Sequence, residues 1–137
     1  MGLAVATVRG AEAAVEERAR QVARAYIDTF NARDVEAWRG TLNFPHVRLA
    51  SGSVRYWATL EDYTFDFDEL SRATGWVSSV LDSVEVVQSF SDKVHITAQF
   101  TRYRADGSVI GRYHALWVVT EKDGHWGIQC RSSEAPL

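Results

Sequence analysis

From residue 84 onward the chain is almost entirely strand-like. The segments "VEVVQSF", "VHITAQFTRYR", "VIGRYHALWVVT" and "HWGIQCRSS" are separated only by "SDK", "ADGS" and "EKDG". Asp-Gly between alternating segments is a strong hairpin signal, because such turns need backbone angles that glycine and aspartate tolerate. The second half is therefore expected to be a long antiparallel meander, and the first half has to cover one of its faces.

That first half reads as helical. Val15, Ala19, Val22, Tyr26 and Phe30 recur at helical spacing, with Glu16, Arg20 and Arg24 off the stripe, and the helix is expected to end near Asn31. Asp34 is the expected N-cap of a short second helix, "DVEAWRG", closed by Gly40. "FPHVRLA" and "VRYWA" alternate around Ser51-Gly52-Ser53 as two short strands joined by a turn. Thr59 with Asp62 resembles a capping box opening a third helix, whose stripe is Leu60, Tyr63, Phe67, Leu70 and Thr74 and which Gly75 stops. Helices followed by a meander make an α+β domain. At 137 residues the chain is expected to hold one domain over residues 13–134, with a flexible N-terminus at 1–12 and a tail at 135–137.

Composition narrows the function classes. A formal net charge of -3, with no Lys/Arg run, argues against nucleic-acid or anionic-membrane surfaces. "MGLAVATVRG" lacks a basic leader, and the hydroxyl of a myristoylation motif falls one place late, at Thr7. No run approaches membrane-spanning length. With Cys130 as its one cysteine, the chain can form no internal disulfide, and a reducing cytoplasm is the expected setting.

No metal and no organic cofactor is expected. His46, His95, His114 and His125 lie on separate segments without metal-ligand spacing, and there is no glycine-rich phosphate loop. Cys130 reads as a packing residue, and the nucleophile motif G-x-S-x-G is absent. Asp62, Asp66 and Glu69 fall on one helical edge and read as a solvated face.

The segment "GRYHALWVV" poses the sharpest question. Arg112 and His114 share a strand face with Leu116 and Val118, and unbroken alternation across the "EKDG" turn adds Gly127, Gln129, Arg131 and Ser133 to it. The other face carries Tyr113, Ala115, Trp117, Val119, Trp126, Ile128 and Cys130. Hydrophobicity alone makes this second face the core.

"AYIDTFNARDVEAW", the strand pair after it, the third helix and the closing "DGHWGIQCRSS" resemble the nuclear transport factor 2-like superfamily, including its SnoaL-like proteins, over roughly residues 13 to 134. That resemblance implies a cone: a curved antiparallel sheet wrapping the long first helix, with two further helices and a cavity open at one end. Superfamily members include ketosteroid isomerase, scytalone dehydratase, limonene epoxide hydrolase and polyketide cyclases, so fold alone does not fix function.

Tyr26 falls where a ketosteroid isomerase tyrosine donates to a developing oxyanion. The two acid positions of that enzyme fall on Ala50 and Leu116, and no Asp-Arg-Asp set like that of limonene epoxide hydrolase is present. By resemblance the Leu116 face lines the cavity, and Trp117, Val119, Trp126 and Ile128 form the convex face through which a homodimer is expected.

On this reading Tyr26, Trp57, Tyr63, Phe67 and Leu116 line an apolar cavity whose polar groups are His46, His114 and Arg131. The expected ligand is small and apolar or enolisable. Any turnover would be proton transfer on a carbonyl-bearing ring (isomerase, dehydratase or cyclase type), with His114 as acid/base. Arg131→Ala is expected to weaken binding by about 1.5–3 kcal/mol with the fold intact. The alternatives are that Arg112 and Arg131 sit at the rim with His114 a satisfied core histidine, and that the domain is a non-catalytic dimerisation or protein-interaction module.

Overall fold

The computed structural model describes residues 2–136. Helix α1 spans Gly2–Asn31 and buries Ala19, Tyr26 and Phe30 of the expected stripe together with Ala23 and Ile27, while Val15 and Val22 of that stripe are partly buried against the core. Helical backbone thus runs through the segment read as a flexible N-terminus; Met1, and Leu137 of the tail, lie outside the described residues. Asp34 accepts a hydrogen bond from the Ala37 N–H and caps α2 (Val35–Arg39), which delivers the fully buried Trp38 to the core.

The third helix breaks in two. The Thr59–Asp62 capping box forms but heads only a 3₁₀ turn, Leu60–Asp62, after which Tyr63 is extended at φ -91° and ψ 110°. Asp66 then accepts from the Glu69 N–H and starts α3 (Phe67–Thr74), which Gly75 closes in the left-handed conformation. The Asp66 carboxylate takes the donor that a continuous helix would bond to Phe65, so the cap outcompetes the stripe. The break projects Tyr63 and Phe65 inward.

Strands β1 (Leu42–Ala50), β2 (Ser53–Trp57), β3 (Trp76–Ser89), β4 (Lys93–Arg104), β5 (Val109–Lys122) and β6 (His125–Ser133) form one curved sheet in the order β2-β1-β6-β5-β4-β3. β3 to β6 are the expected meander, and the β1–β2 hairpin joins it by pairing β1 parallel to β6. At Gly127 a Cβ would meet the Leu42 carbonyl carbon at 2.7 Å, so glycine is what lets the two strands approach. The fold is α+β as expected, with that one parallel junction. No helix among the described residues is long and apolar enough to cross a membrane.

The sheet faces follow hydrophobicity rather than the resemblance. Ala115, Trp117 and Val119 are buried against the helices, whereas Arg112 and His114 are exposed and Leu116 is 40 % exposed on the outer face. Trp117, Val119 and Ile128 are therefore core, not a subunit surface. Yet Arg131, assigned by alternation to the His114 face, is buried to 3 % exposure beside Trp117. The register explains this. Val118 pairs with Cys130 but Val119 with Ile128, so Gln129 is an extra residue on β6. This bulge resets the alternation and turns Ile128 and Arg131 to the same side.

Candidate functional site

A cavity of about 590 Å³ lies between the β1–β2 hairpin, the broken third helix and the C-terminal segment. Strands β1 and β2 supply Arg48, Arg55 and Trp57; the broken third helix supplies Tyr63, Phe65 and Leu70; Pro136 of the C-terminal segment completes the wall. Trp57 and Tyr63 pack with ring centroids 4.6 Å apart. Asp66 and Glu69 also line the mouth, so two of the three carboxylates read as a solvated edge lie at the cavity. Both are committed locally: Asp66 caps α3, and Glu69 accepts from Arg72 at 2.8 Å.

Beneath this cavity lies a buried polar cluster centred on Arg131. Its Nε donates to His46 Nε2 at 2.9 Å, Nη1 to the Tyr26 hydroxyl at 2.5 Å and Nη2 to the Tyr63 hydroxyl at 2.7 Å. An arginine can only donate, so His46 Nε2 must carry its lone pair there. The other nitrogen, Nδ1, then bears the proton and donates to the Ile128 carbonyl at 2.9 Å. Burial first, and the Arg131 cation second, push His46 down to about 3, which keeps the imidazole neutral. Burial likewise pushes the Tyr63 phenol up to about 12.

Two more arginines are buried near this cluster. Arg48 Nη2 donates to the Ala135 carbonyl, and Arg102 Nη1 donates to the Pro136 carbonyl at 2.6 Å. Arg48, Arg102 and Arg131 line a second chamber of about 20 Å³, with Tyr26, Ser133 and Ala135. Burial above all lowers the pKa of both Arg48 and Arg102 from its ordinary value; the Arg131 charge is the next cause at Arg48, whereas at Arg102 Tyr26 and Tyr113 oppose the shift and Arg131 adds least.

Of the residues selected from sequence, the structure brings together Tyr26, His46, Tyr63 and Arg131 by hydrogen bonds, and Trp57 by stacking on Tyr63. It separates three. His114 and Leu116 stand on the outer face, away from the cavity, because alternation along β5 buries Ala115 and Trp117 instead. Phe67 is buried among Phe30, Phe65 and Trp76 as core, one step beyond the cavity wall.

Arg48, Arg55, Phe65 and Arg102 were missed. A signal existed for two of them: alternation puts Arg48 on the His46 face of β1, and Arg102 on the Phe100 face of β4. Among the described residues no group of three His, Cys, Asp or Glu side chains converges to hold a metal ion.

A family model described as "NTF2-like protein (DUF6841)" matches residues 16–133. No curated protein matches the chain. An NTF2-like protein with a cystatin-like fold from Novosphingobium aromaticivorans superposes at TM-score 0.73 and 14% identity, covering 95% of this chain and 86% of that one. A protein of unknown function with a cystatin-like fold from Nostoc punctiforme gives 0.67 at 12%, covering 88% and 90%. A candidate ketosteroid isomerase from Shewanella frigidimarina gives 0.64 at 13%, covering 88% and 97%. At such identities the likeness speaks for the fold alone.

Proposed function

The chain belongs to the NTF2-like family DUF6841, and from that premise we propose that it is a small-molecule-binding domain whose ligand is an apolar, ring-bearing compound. The observation that carries this is the cavity of about 590 Å³ walled by Trp57, Tyr63, Phe65 and Leu70. Its size lies within the usual range for ligand sites, and aromatic walls with a few polar groups are the common pattern. Proton transfer on a carbonyl-bearing ring is the class of turnover such a cavity would host. His114 is outside it and both His46 nitrogens are engaged, so that role would fall to Asp66 or Glu69 at the mouth. Those carboxylates already serve as helix cap and ion-pair partner, which favours binding over turnover.

Calorimetry with 2-naphthol as a neutral aromatic probe tests the reading. Binding is expected, and Trp57→Ala should weaken it by about 1–2 kcal/mol, the apolar area and ring contact removed. Absence of binding, or affinity indifferent to Trp57→Ala, would reject the cavity as the site. The lone, half-buried Cys130 fits a reducing cytosolic setting.

A second reading, homodimerisation through the outer sheet face, has its own support. Register places Val54 and Tyr56 of β2, Val47 and Leu49 of β1, Cys130 of β6 and Leu116 and Val118 of β5 side by side on that face. Val54 is 70 % and Tyr56 63 % exposed, a large apolar area for a lone subunit. Light scattering at micromolar concentration should give twice the chain mass, and Leu116→Lys should halve it. A monomeric wild type would end this reading without touching the cavity.

A further inference from the structure

The three buried arginines form a charge cluster without a counter-charge among the described residues. Arg48, Arg102 and Arg131 are each less than a tenth exposed, and none takes part in an ion pair among the described residues. The chain as a whole is acidic, with 18 carboxylates to 15 basic side chains, yet no Asp or Glu is among the buried side chains of the described residues. Burying an unpaired charge is among the most costly arrangements in a protein core.

Aromatic faces offset part of that cost: Arg131 lies over Tyr26, Trp38 and Tyr63, and Arg102 over Phe30, Phe100 and Tyr113. Rings carry no net charge, however. Arg102 Nε is buried without an acceptor among the described residues. The acceptors that do face Arg48 and Arg102 are two backbone carbonyls of the C-terminal segment, Ala135 and Pro136.

Building on the cavity reading above, we infer that the chamber between Arg48, Arg102 and Arg131 is an anion site that takes the carboxylate of an aromatic or alicyclic acid whose apolar body fills the larger cavity. Arg48 lines both spaces, while Ala135 borders the small one and Pro136 the large one. The Ala135–Pro136 segment thus lies between them, and its two carbonyl oxygens accept from the arginines that a carboxylate would engage. Binding then means exchange: the segment lifts, and a charged, forked acceptor replaces two neutral ones. Guanidinium–carboxylate geometry favours that exchange, since charge-assisted bonds are roughly twice as strong as neutral ones.

Calorimetry comparing 2-naphthoate with 2-naphthol on the full chain tests this. The wild type is expected to bind naphthoate at least about tenfold tighter, a difference of about 1.4 kcal/mol. In Arg102→Met and in Arg48→Met that ratio should collapse toward one. Amide hydrogen exchange at Ala135 should accelerate with naphthoate and not with naphthol.

The wild-type ratio needs no variant to fold. Naphthol binding without a preference for naphthoate overturns the anion site and leaves the cavity reading standing. Failure of both probes overturns both. A naphthoate preference that survives both substitutions, or an unchanged Ala135 exchange rate, overturns the assignment to this chamber.

Discussion

Arg131→Met is expected to destabilise the fold by about 3–5 kcal/mol, the range for removing one member of a buried charged network. The guanidinium is the common donor for His46 Nε2, the Tyr26 hydroxyl and the Tyr63 hydroxyl. Methionine matches much of its length, so a void contributes little; the loss comes from three acceptors left dry. Each buried polar group without a partner costs about 1–3 kcal/mol, and relief of the arginine's own burial offsets part of the sum.

This geometry argues against the expectation from sequence that an Arg131 substitution would spare the fold and weaken only binding. Urea unfolding gives the number directly. Tyr26→Phe and Tyr63→Phe in the Arg131→Met background should restore stability relative to the sum of the single changes, because they remove acceptors that no longer have a donor. A loss below about 1 kcal/mol would mean the hub is water-accessible and its bonds replaceable.

The elements themselves were readable because each rests on a local rule. The α1 stripe, the Asp34 cap, the Ser51–Ser53 turn and the Asp-Gly hairpins each act within a few residues, and all formed. What failed was non-local. Alternation across β5 and β6 is broken by one extra residue at Gln129, which reverses the facing of everything from Cys130 onward. A bulge of this kind has no side-chain signature in "GIQCR".

The sheet faces follow hydrophobicity, not the family resemblance. Trp117 and Val119 face α1 because that face buries the larger apolar area, as the residues alone indicated. Arg48 and Arg102 escaped notice for the opposite reason. Charged strand residues default to solvent, and only the absence of nearby acids in three dimensions marks these two as unusual.

Acid should unfold this protein earlier than its carboxylates alone require, through His46. In the unfolded chain its imidazole titrates near 6.5, whereas in the fold it does so only at about 3. Between those values the unfolded state binds one proton more than the folded state, so stability rises with pH across the window and falls as pH drops through it. The slope is about 1.4 kcal/mol per pH unit, accumulating to roughly 4–5 kcal/mol by the low end.

The structural cause is double. Protonation at Nε2 removes the acceptor that holds Arg131 Nε at 2.9 Å, and it sets a second cation against the guanidinium. Chemical denaturation of wild type and His46→Gln from pH 7 to pH 4 isolates the effect, since carboxylate titration is common to both. His46→Gln should be less stable than wild type at pH 7 but should lose stability more gently below pH 6.5, with the slopes differing by about one proton. Nitrogen chemical shifts of His46 should report the neutral, Nδ1-protonated ring still in place at pH 5. Parallel stability curves for the two proteins would show that His46 takes up a proton in the fold, and would remove it as the acceptor that orients Arg131.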